Sequence, residues 1–284
     1  MKRSRAPYWL ALPGWLWLAI FLVVPIAAMA SVSLTTGNLI DGFAQTLSVS
    51  NYSDAIAKYS TQLVRSLVYG GVATLLMLIL GYPVAYWIAF KGGHRKSMFL
   101  FLLLLPFFVS FVLRTISWGF LLADDGILFG TLKGWGLLPE DFHVLATTVA
   151  VIGGLVYNFL PFMILPIYVA LERVDPRVIE AAYDLYASRF DAFRRVVLPL
   201  SLPGVFAGVL MTFVPASADP VNAAVLGGTG NTMIGNIIQT EYLVNSNYPT
   251  ASALSFTLMA VLLVGIFIYA RALGTENVME AAAR

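Results

Sequence analysis

The chain of 284 residues has no cysteine, which excludes thiolate metal centres, redox chemistry at sulfur and disulfide bonds. Its two histidines, His94 and His143, stand far apart and form no ligand cluster, so each reads as a solvated loop residue. Charge is scarce too: 11% of residues are Asp, Glu, Lys or Arg, against 59% hydrophobic. At a mean hydropathy of +0.82, too little polar surface remains for a water-soluble domain of this length. A phosphate-cradling loop, Gly-x-x-x-x-Gly-Lys-Ser/Thr, is also missing. The nearest approach, Gly92-Gly93-His94-Arg95-Lys96-Ser97, has Arg95 where the second glycine must turn. Nucleotide hydrolysis is therefore not expected in this chain, nor is a nucleic-acid partner, and the net charge of +2 is by itself uninformative.

What is abundant is long apolar runs. A helix needs about 20 apolar residues to cross the hydrocarbon, and only structures that satisfy their own backbone hydrogen bonds survive there. Runs near that length fall at about 9–30, 63–90, 98–123, 144–170, 199–218 and 251–270. The expectation is an all-α integral membrane protein with six transmembrane helices forming one domain over 1–284. Positive flanks resist translocation. Lys2, Arg3, Arg5, Lys91, Arg95, Lys96, Arg173, Arg177, Arg189, Arg194, Arg195, Arg271 and Arg284 all fall on one side if the N-terminus is inside. Both termini are then cytoplasmic, and the protein is a multi-pass component of the cytoplasmic membrane. The first run is too long for the apolar region of a cleaved leader, about 7–15 residues, and cleavage would leave an odd number of spans.

The inner loop at 171–198 is longer than a connection between spans requires. Asp175-Pro176 reads as a helix start, with aspartate as N-cap and proline at the first helical position. Ile179, Tyr183 and Tyr186 follow at helical spacing, beside a stripe of Val178, Ala182 and Leu185. Ser188-Arg189-Phe190-Asp191 fits a capping box that starts a second short helix through Phe193 and Val197, before Pro199 opens the fifth span. Such an amphipathic cross-piece suits either docking to another protein or lying on lipid headgroups.

Within that loop, Glu180-Ala181-Ala182, the spacing to Tyr186 and the closing Val196 and Leu198-Pro199 resemble the Glu-Ala-Ala loop of binding-protein-dependent ABC importer permeases. Tyr186 stands where that family usually has glycine, and Val196 where it has isoleucine. If the turn there needs a left-handed residue, tyrosine costs about 1 kcal/mol or more. Further segments extend the resemblance to the B-type permease subunits of spermidine/putrescine importers: Pro106-Phe107-Phe108, Arg114-Thr115, Asp125-Gly126-Ile127-Leu128, Leu160-Pro161-Phe162-Met163, Gly227-Gly228 and Met233-Ile234-Gly235-Asn236.

The resemblance implies a type I ABC importer fold paired with a second permease subunit as a heterodimer. It also implies a cytoplasmic ABC ATPase dimer that binds ATP and Mg²⁺, so that no cofactor sits in this chain. An extracytoplasmic solute-binding protein would deliver polyamines. Glu180, Ala181, Ala182, Tyr186, Leu198 and Pro199 would form the ATPase-coupling surface. Thr35 to Thr61 and the segment from Gly227 to Asn247 are the outer stretches over which a delivery protein would dock, unless they merely link spans.

Polar residues inside the spans mark a candidate solute path. Arg114, well inside the third span, costs roughly 2.5–3.5 kcal/mol by insertion scales. Either it pairs with Asp124, Asp125 or Asp219 facing the interior, which is the favoured reading, or it snorkels to headgroups. Pro215 and Pro220 would break the fifth span near Asp219. Unwound backbone at that depth must be buried in protein or line a watery cavity, and a carboxylate there suits a polycation. Trp118, Tyr157 and Asn158 offer aromatic faces and an amide, although such aromatics commonly only pack. Trp9, Trp15 and Trp17 look like interfacial anchors, and Gly70-Gly71 and Gly153-Gly154 like close helix contacts. A permease for another small solute and an ion-coupled secondary transporter are the alternatives. The latter would show several buried acids or an inverted repeat, and a membrane enzyme would need convergent catalytic groups.

Overall fold

The computed structural model describes residues 6–272, with side chains from residue 10 onward. The basic residues at positions 2, 3, 5 and 284 and the Trp9 side chain, used above for orientation and anchoring, lie outside the described residues. In chain order the elements are α1 (Ala6–Leu18), joined by a π-helical turn at Ala19–Val23 to α2 (Val24–Ser33), then β1 (Thr35–Asn38), β2 (Gly42–Gln45), α3 (Ser50–Lys91), α4 (Lys96–Leu104), α5 (Phe111–Leu122) and α6 (Ile127–Gly134). There follow α7 (Thr148–Glu172), α8 (Pro176–Asp184), α9 (Arg189–Ala192), α10 (Leu198–Ala218), α11 (Val221–Leu226), α12 (Ile234–Leu243) and α13 (Tyr248–Ala272). Among the described residues, five helical runs are long and apolar enough to cross a membrane, and the bent pair Gly93–Phe108 and Phe111–Gly134 makes a sixth. The fold is all-helical apart from one hairpin, as a six-span membrane protein requires.

The described residues form two compact units, one of those up to Ser60 with Ile237–Ala260, the other of Thr61–Asn236 with those from Val261 onward. In the first, β1 and β2 pair antiparallel with Thr35 opposite Gln45 and Asn38 opposite Gly42. Asn38 builds the turn by accepting from the Ile40 and Asp41 amides at 2.8 and 2.9 Å. Asn51 then donates to the Ser33 and Thr35 carbonyls at 2.9 and 2.8 Å, pinning the start of α3 to the end of α2. The short outer helix expected before the second span is therefore the first part of α3, which kinks at Tyr59 (φ −120°, ψ 19°). Glu241 on α12 is buried; the Tyr59 hydroxyl donates to it and the Lys58 ammonium lies 3.6 Å away. Burial opposes its charge, but Tyr59, Lys58, Asn245 and Asn247 outweigh that cost and hold its carboxyl below the usual range.

The second unit is built around α7, whose Leu155, Met163, Ile164, Ile167 and Leu171 are fully buried. Helix α10 lies against it at backbone distance. A Cβ on Gly204 would stand 2.5 Å from the Pro166 carbonyl oxygen, and one on Gly208 3.1 Å from that of Met163. The Gly-x-x-x-Gly spacing permits this approach. Gly154 meets Leu226 and Asn222, and Gly70 meets Ser217, in the same manner. Gly153 and Gly71 differ from the expected close contact: a Cβ on Gly153 meets nothing within 4 Å, and one on Gly71 only Phe213 at 4.0 Å.

Three departures from the sequence reading follow from backbone chemistry. The third span is not one helix over 98–123 but two limbs bent by 88°. Pro106 withholds a donor, the chain tightens to a 3₁₀ turn at Leu105–Phe108, and Val109 is extended (φ −98°, ψ 138°) before Ser110 starts α5. The second loop helix is not separate from the fifth span: α9, a π-helical turn at Phe193–Val197 and α10 form one helical run, Arg189–Ala218. The π turn rearranges the hydrogen bonding just where Pro199 has no N–H. Lastly, α10 passes through Pro215 unbroken and ends only at Asp219 (ψ 123°).

Replacing Gly204 by alanine should destabilise the protein by about 1–3 kcal/mol through overpacking against α7 backbone. Gly153→Ala should be neutral or stabilising by up to about 1 kcal/mol, since it removes a helical glycine in open space. Thermal unfolding of the two variants in the same detergent checks both, and equal behaviour would refute the backbone contact.

Candidate functional site

On the loop, helix α8 begins as its sequence dictates. The Asp175 carboxylate accepts from the Arg177 amide at 2.9 Å, and Pro176 takes the first turn. Its end is a Schellman turn: the Ala187 amide donates to the Ala182 carbonyl at 3.0 Å and the Tyr186 amide to the Tyr183 carbonyl at 2.9 Å. That geometry requires a left-handed residue, and Tyr186 supplies it at φ 61°. The position usually glycine in the resembling family is thus left-handed here as well, but occupied by an aromatic that is 98% exposed. Ser188 then caps α9 by accepting from the Asp191 amide at 3.1 Å.

The apolar face of α8 is largely uncovered. Ile179 packs against the core, but Val178, Tyr183 and Leu185 are exposed, as is Phe190 on α9, and Glu180 and Ala181 lie open beside them. Beneath, Phe193 is held edge-on by Tyr82 at 5.8 Å and Tyr86 at 5.9 Å, and Ala192 and Val197 are buried. Lys96 and Glu172 close the same end with an ion pair at 2.9 Å. Leu198 is half-buried and Pro199 exposed. The loop is therefore a firmly rooted platform that presents an apolar surface bordered by charged side chains, Glu180 and Asp184 among them.

At the other end of α10 a chain of buried polar side chains begins. Asp219, 5% exposed, accepts from the Asn222 amide at 2.7 Å and from its Nδ2 at 3.0 Å. Asn158 Nδ2 in turn donates to Asn222 Oδ1 and to Thr115 Oγ1, both at 3.0 Å, and Thr115 donates to the Phe111 carbonyl. Asp219 thus acts as the cap of α11 and joins α10, α11, α7 and α5 through Asn222 and Asn158. Asn222 and Thr115 escaped the sequence reading. Asp219-Pro220 repeats the Asp-Pro signature of Asp175-Pro176, and that signal would have marked a helix start with Asn222 in its first turn.

Arg114 lies in the first turn of α5, just past the break, its amide bonded to the Ser110 carbonyl. The expected ion pair is not formed: among the described residues Asp124 pairs with Lys133 at 3.2 Å, Asp219 with Asn222, and Arg114 with no carboxylate. Its guanidinium stands instead over the Phe107 ring at 4.9 Å, with Phe111 and Tyr157 at 5.9 Å. Trp118 packs edge-on against Tyr157 at 5.3 Å. Phe107, Phe111, Arg114, Asn158, Phe159 and Phe162 line a cavity of about 520 Å³. The structure places Arg114 and Asn158 in that lining, sets Tyr157 beside the guanidinium with Trp118 behind it, and leaves Asp219, bonded to Asn222, outside the lining. The outer stretch at 227–247 is more than linkage. Met233 and Ile234 are fully buried, and Asn231 donates to the Ala146 and Gly227 carbonyls and accepts from Tyr69.

Tyr186→Gly should stabilise the folded protein by about 1 kcal/mol by relieving the left-handed strain. Thermal unfolding in detergent checks this; a lowered midpoint would mean that the exposed ring contributes more than its backbone costs.

The model of the family described as binding-protein-dependent transport system inner membrane component matches residues 81–273. The spermidine/putrescine transport system permease protein PotB of Haemophilus influenzae is 38% identical over 257 residues, 90% of each chain. PotB of Escherichia coli K12 is 33% identical over 90% of this chain and 94% of its own. Among solved structures, one chain of a bacterial ABC transporter involved in the import of the acidic polysaccharide alginate superposes with a TM-score of 0.76 at 18% identity, covering 96% of both chains. At that identity the superposition speaks for the fold alone. With a family match over most of its length and relatives above 30% identity along nine-tenths of it, the chain belongs to the binding-protein-dependent transport system inner membrane components.

Proposed function

We propose that this protein is a permease subunit of an ATP-driven importer of polyamines in the cytoplasmic membrane, with both termini cytoplasmic. The observation that carries the transport mechanism is the uncovered face of α8 around Glu180, rooted by Phe193 and followed by an unbroken helix to Asp219. An apolar surface ringed by charge suits a protein groove better than water. Its occupant is a dimeric ABC ATPase that binds ATP and Mg²⁺. A second permease subunit completes the path as a heterodimer, and an extracytoplasmic binding protein delivers the solute. The solute class rests on the relatives, which are spermidine/putrescine permeases.

In mechanical terms, closure of the ATPases moves α8, and the run Arg189–Ala218 transmits the displacement. Thirty residues of helix span about 45 Å, enough to cross the bilayer. The far end carries Asp219, whose hydrogen bonds to Asn222, and through it to Asn158, tie the motion of α10 to α7, α5 and the cavity beside Arg114. Glu180, Ala181, Ala182, Tyr186, Leu198 and Pro199 serve the coupling, and Arg114, Trp118, Tyr157, Asn158 and Asp219 shape the solute path.

Two outcomes are expected. The complex purified in mild detergent retains an ATPase whose hydrolysis rises when spermidine-loaded binding protein is added; an ATPase indifferent to polyamines would overturn the solute class, and its absence from a folded preparation the whole reading. Glu180→Lys lowers uptake by about 10-fold or more while the purified subunit keeps its melting temperature. Full uptake in that variant would remove Glu180 from the coupling surface.

A further inference from the structure

We propose that Arg114 is a tethered cation: its guanidinium occupies an aromatic cage that would otherwise take a solute ammonium, and so keeps the cage closed to cations until it moves away. This rests on the polyamine reading above. The walls are those of a cation site. Phe107, Phe111 and Tyr157 turn their rings toward the charge at 4.9–5.9 Å, and Trp118 backs Tyr157. Quaternary and primary ammonium groups are held by such faces.

The occupant, in contrast, is poorly satisfied. Arg114 is 8% exposed, its Nε has no hydrogen-bond partner, and no carboxylate of the described residues neutralises it. A side chain placed for stability alone would have been given an acceptor. Across the same cavity, Asn158 is 1% exposed, both its Nδ2 bonds are made, and its Oδ1 accepts nothing. The amide's assignment is fixed by Asn222 Oδ1, which only a donor satisfies, so the group left without a partner on this lining residue is an acceptor, the kind an ammonium N–H requires. The site thus combines a buried, unpaired guanidinium with a buried amide oxygen that accepts no bond.

Two like charges do not share one cage, so solute entry and guanidinium departure are alternatives. The device has a place to pivot. Arg114 lies four residues beyond Ser110, at the break where the chain bends by 88°, and a change in that angle carries the guanidinium, with Phe111, away from Phe107 and Tyr157 without unfolding α5.

The test uses the assembled transporter in lipid nanodiscs without binding protein or ATP. Labelled spermidine binds about 10-fold more tightly to the Arg114→Met complex than to the natural one, and adding Phe107→Leu and Tyr157→Leu abolishes the gain. Free guanidinium competes with spermidine in Arg114→Met. Unchanged or weaker binding in an Arg114→Met complex that assembles normally overturns the proposal. Guanidinium titration is also followed directly by the emission of Trp118, with Trp118→Phe as the blank. Saturable quenching in Arg114→Met, and none in the natural complex, supports the cage even if polyamines prove not to be the solute; no quenching in either sinks it independently of the solute.

Discussion

The second unit depends on how closely α10 approaches α7. At Gly204 and Gly208 the α10 backbone comes within close range of α7 backbone, with only Ala170 Cβ and Met163 Sδ as near, so any outward movement of α10 loses close packing that lipid chains replace poorly. In water such a contact would be held by apolar burial; in hydrocarbon the driving force comes from close packing and from hydrogen bonds with no alternative partner. The hydrogen-bonded chain joins Asn158 on α7 to Asn222 on α11 and Thr115 on α5, and is subject to the same rule. Contact and chain together make α7 the reference against which α5, α10 and α11 are positioned.

Membrane character, span count and the cap of α8 were legible because each rests on a local rule: apolar length, an Asp-Pro pair, a left-handed turn. Tyr186 is instructive, since the resemblance marked a position usually glycine, and the backbone there is left-handed despite the side chain. What was not legible depends on partners distant in sequence. Nothing near Arg114 states that Asp124 is engaged by Lys133, or that Asp219 is engaged by Asn222. The bend at Val109 was foreshadowed by Pro106, but prolines at 161, 166, 203 and 215 sit inside intact helices, so proline by itself does not tell a break from a tolerated interruption. Gly204-x-x-x-Gly208 was a readable motif, and more specific than the paired glycines at 70 and 153.

Charge is the unresolved tension of a cation path that contains an arginine. A guanidinium and an ammonium 4 Å apart repel by about 4 kcal/mol at the effective dielectric of a protein. Attraction to an aromatic face returns about 0.5–2 kcal/mol. An arginine fixed in place would therefore exclude the solute that the relatives carry, and removing it altogether would leave an aromatic, amide-lined pocket with no control over when a cation enters. An arginine that moves resolves the conflict only if its departure is tied to the energy source. In that mechanism the helical run Arg189–Ala218 supplies the tie: one end adjoins the platform around Glu180, and Asp219 at the other is bonded through Asn222 and Asn158 to Thr115, the residue next to Arg114 on α5. In the proposed mechanism a displacement at the platform acts on the backbone that carries the guanidinium, and the repulsion that closes the path at rest becomes the means of keeping solute entry in step with the ATPase.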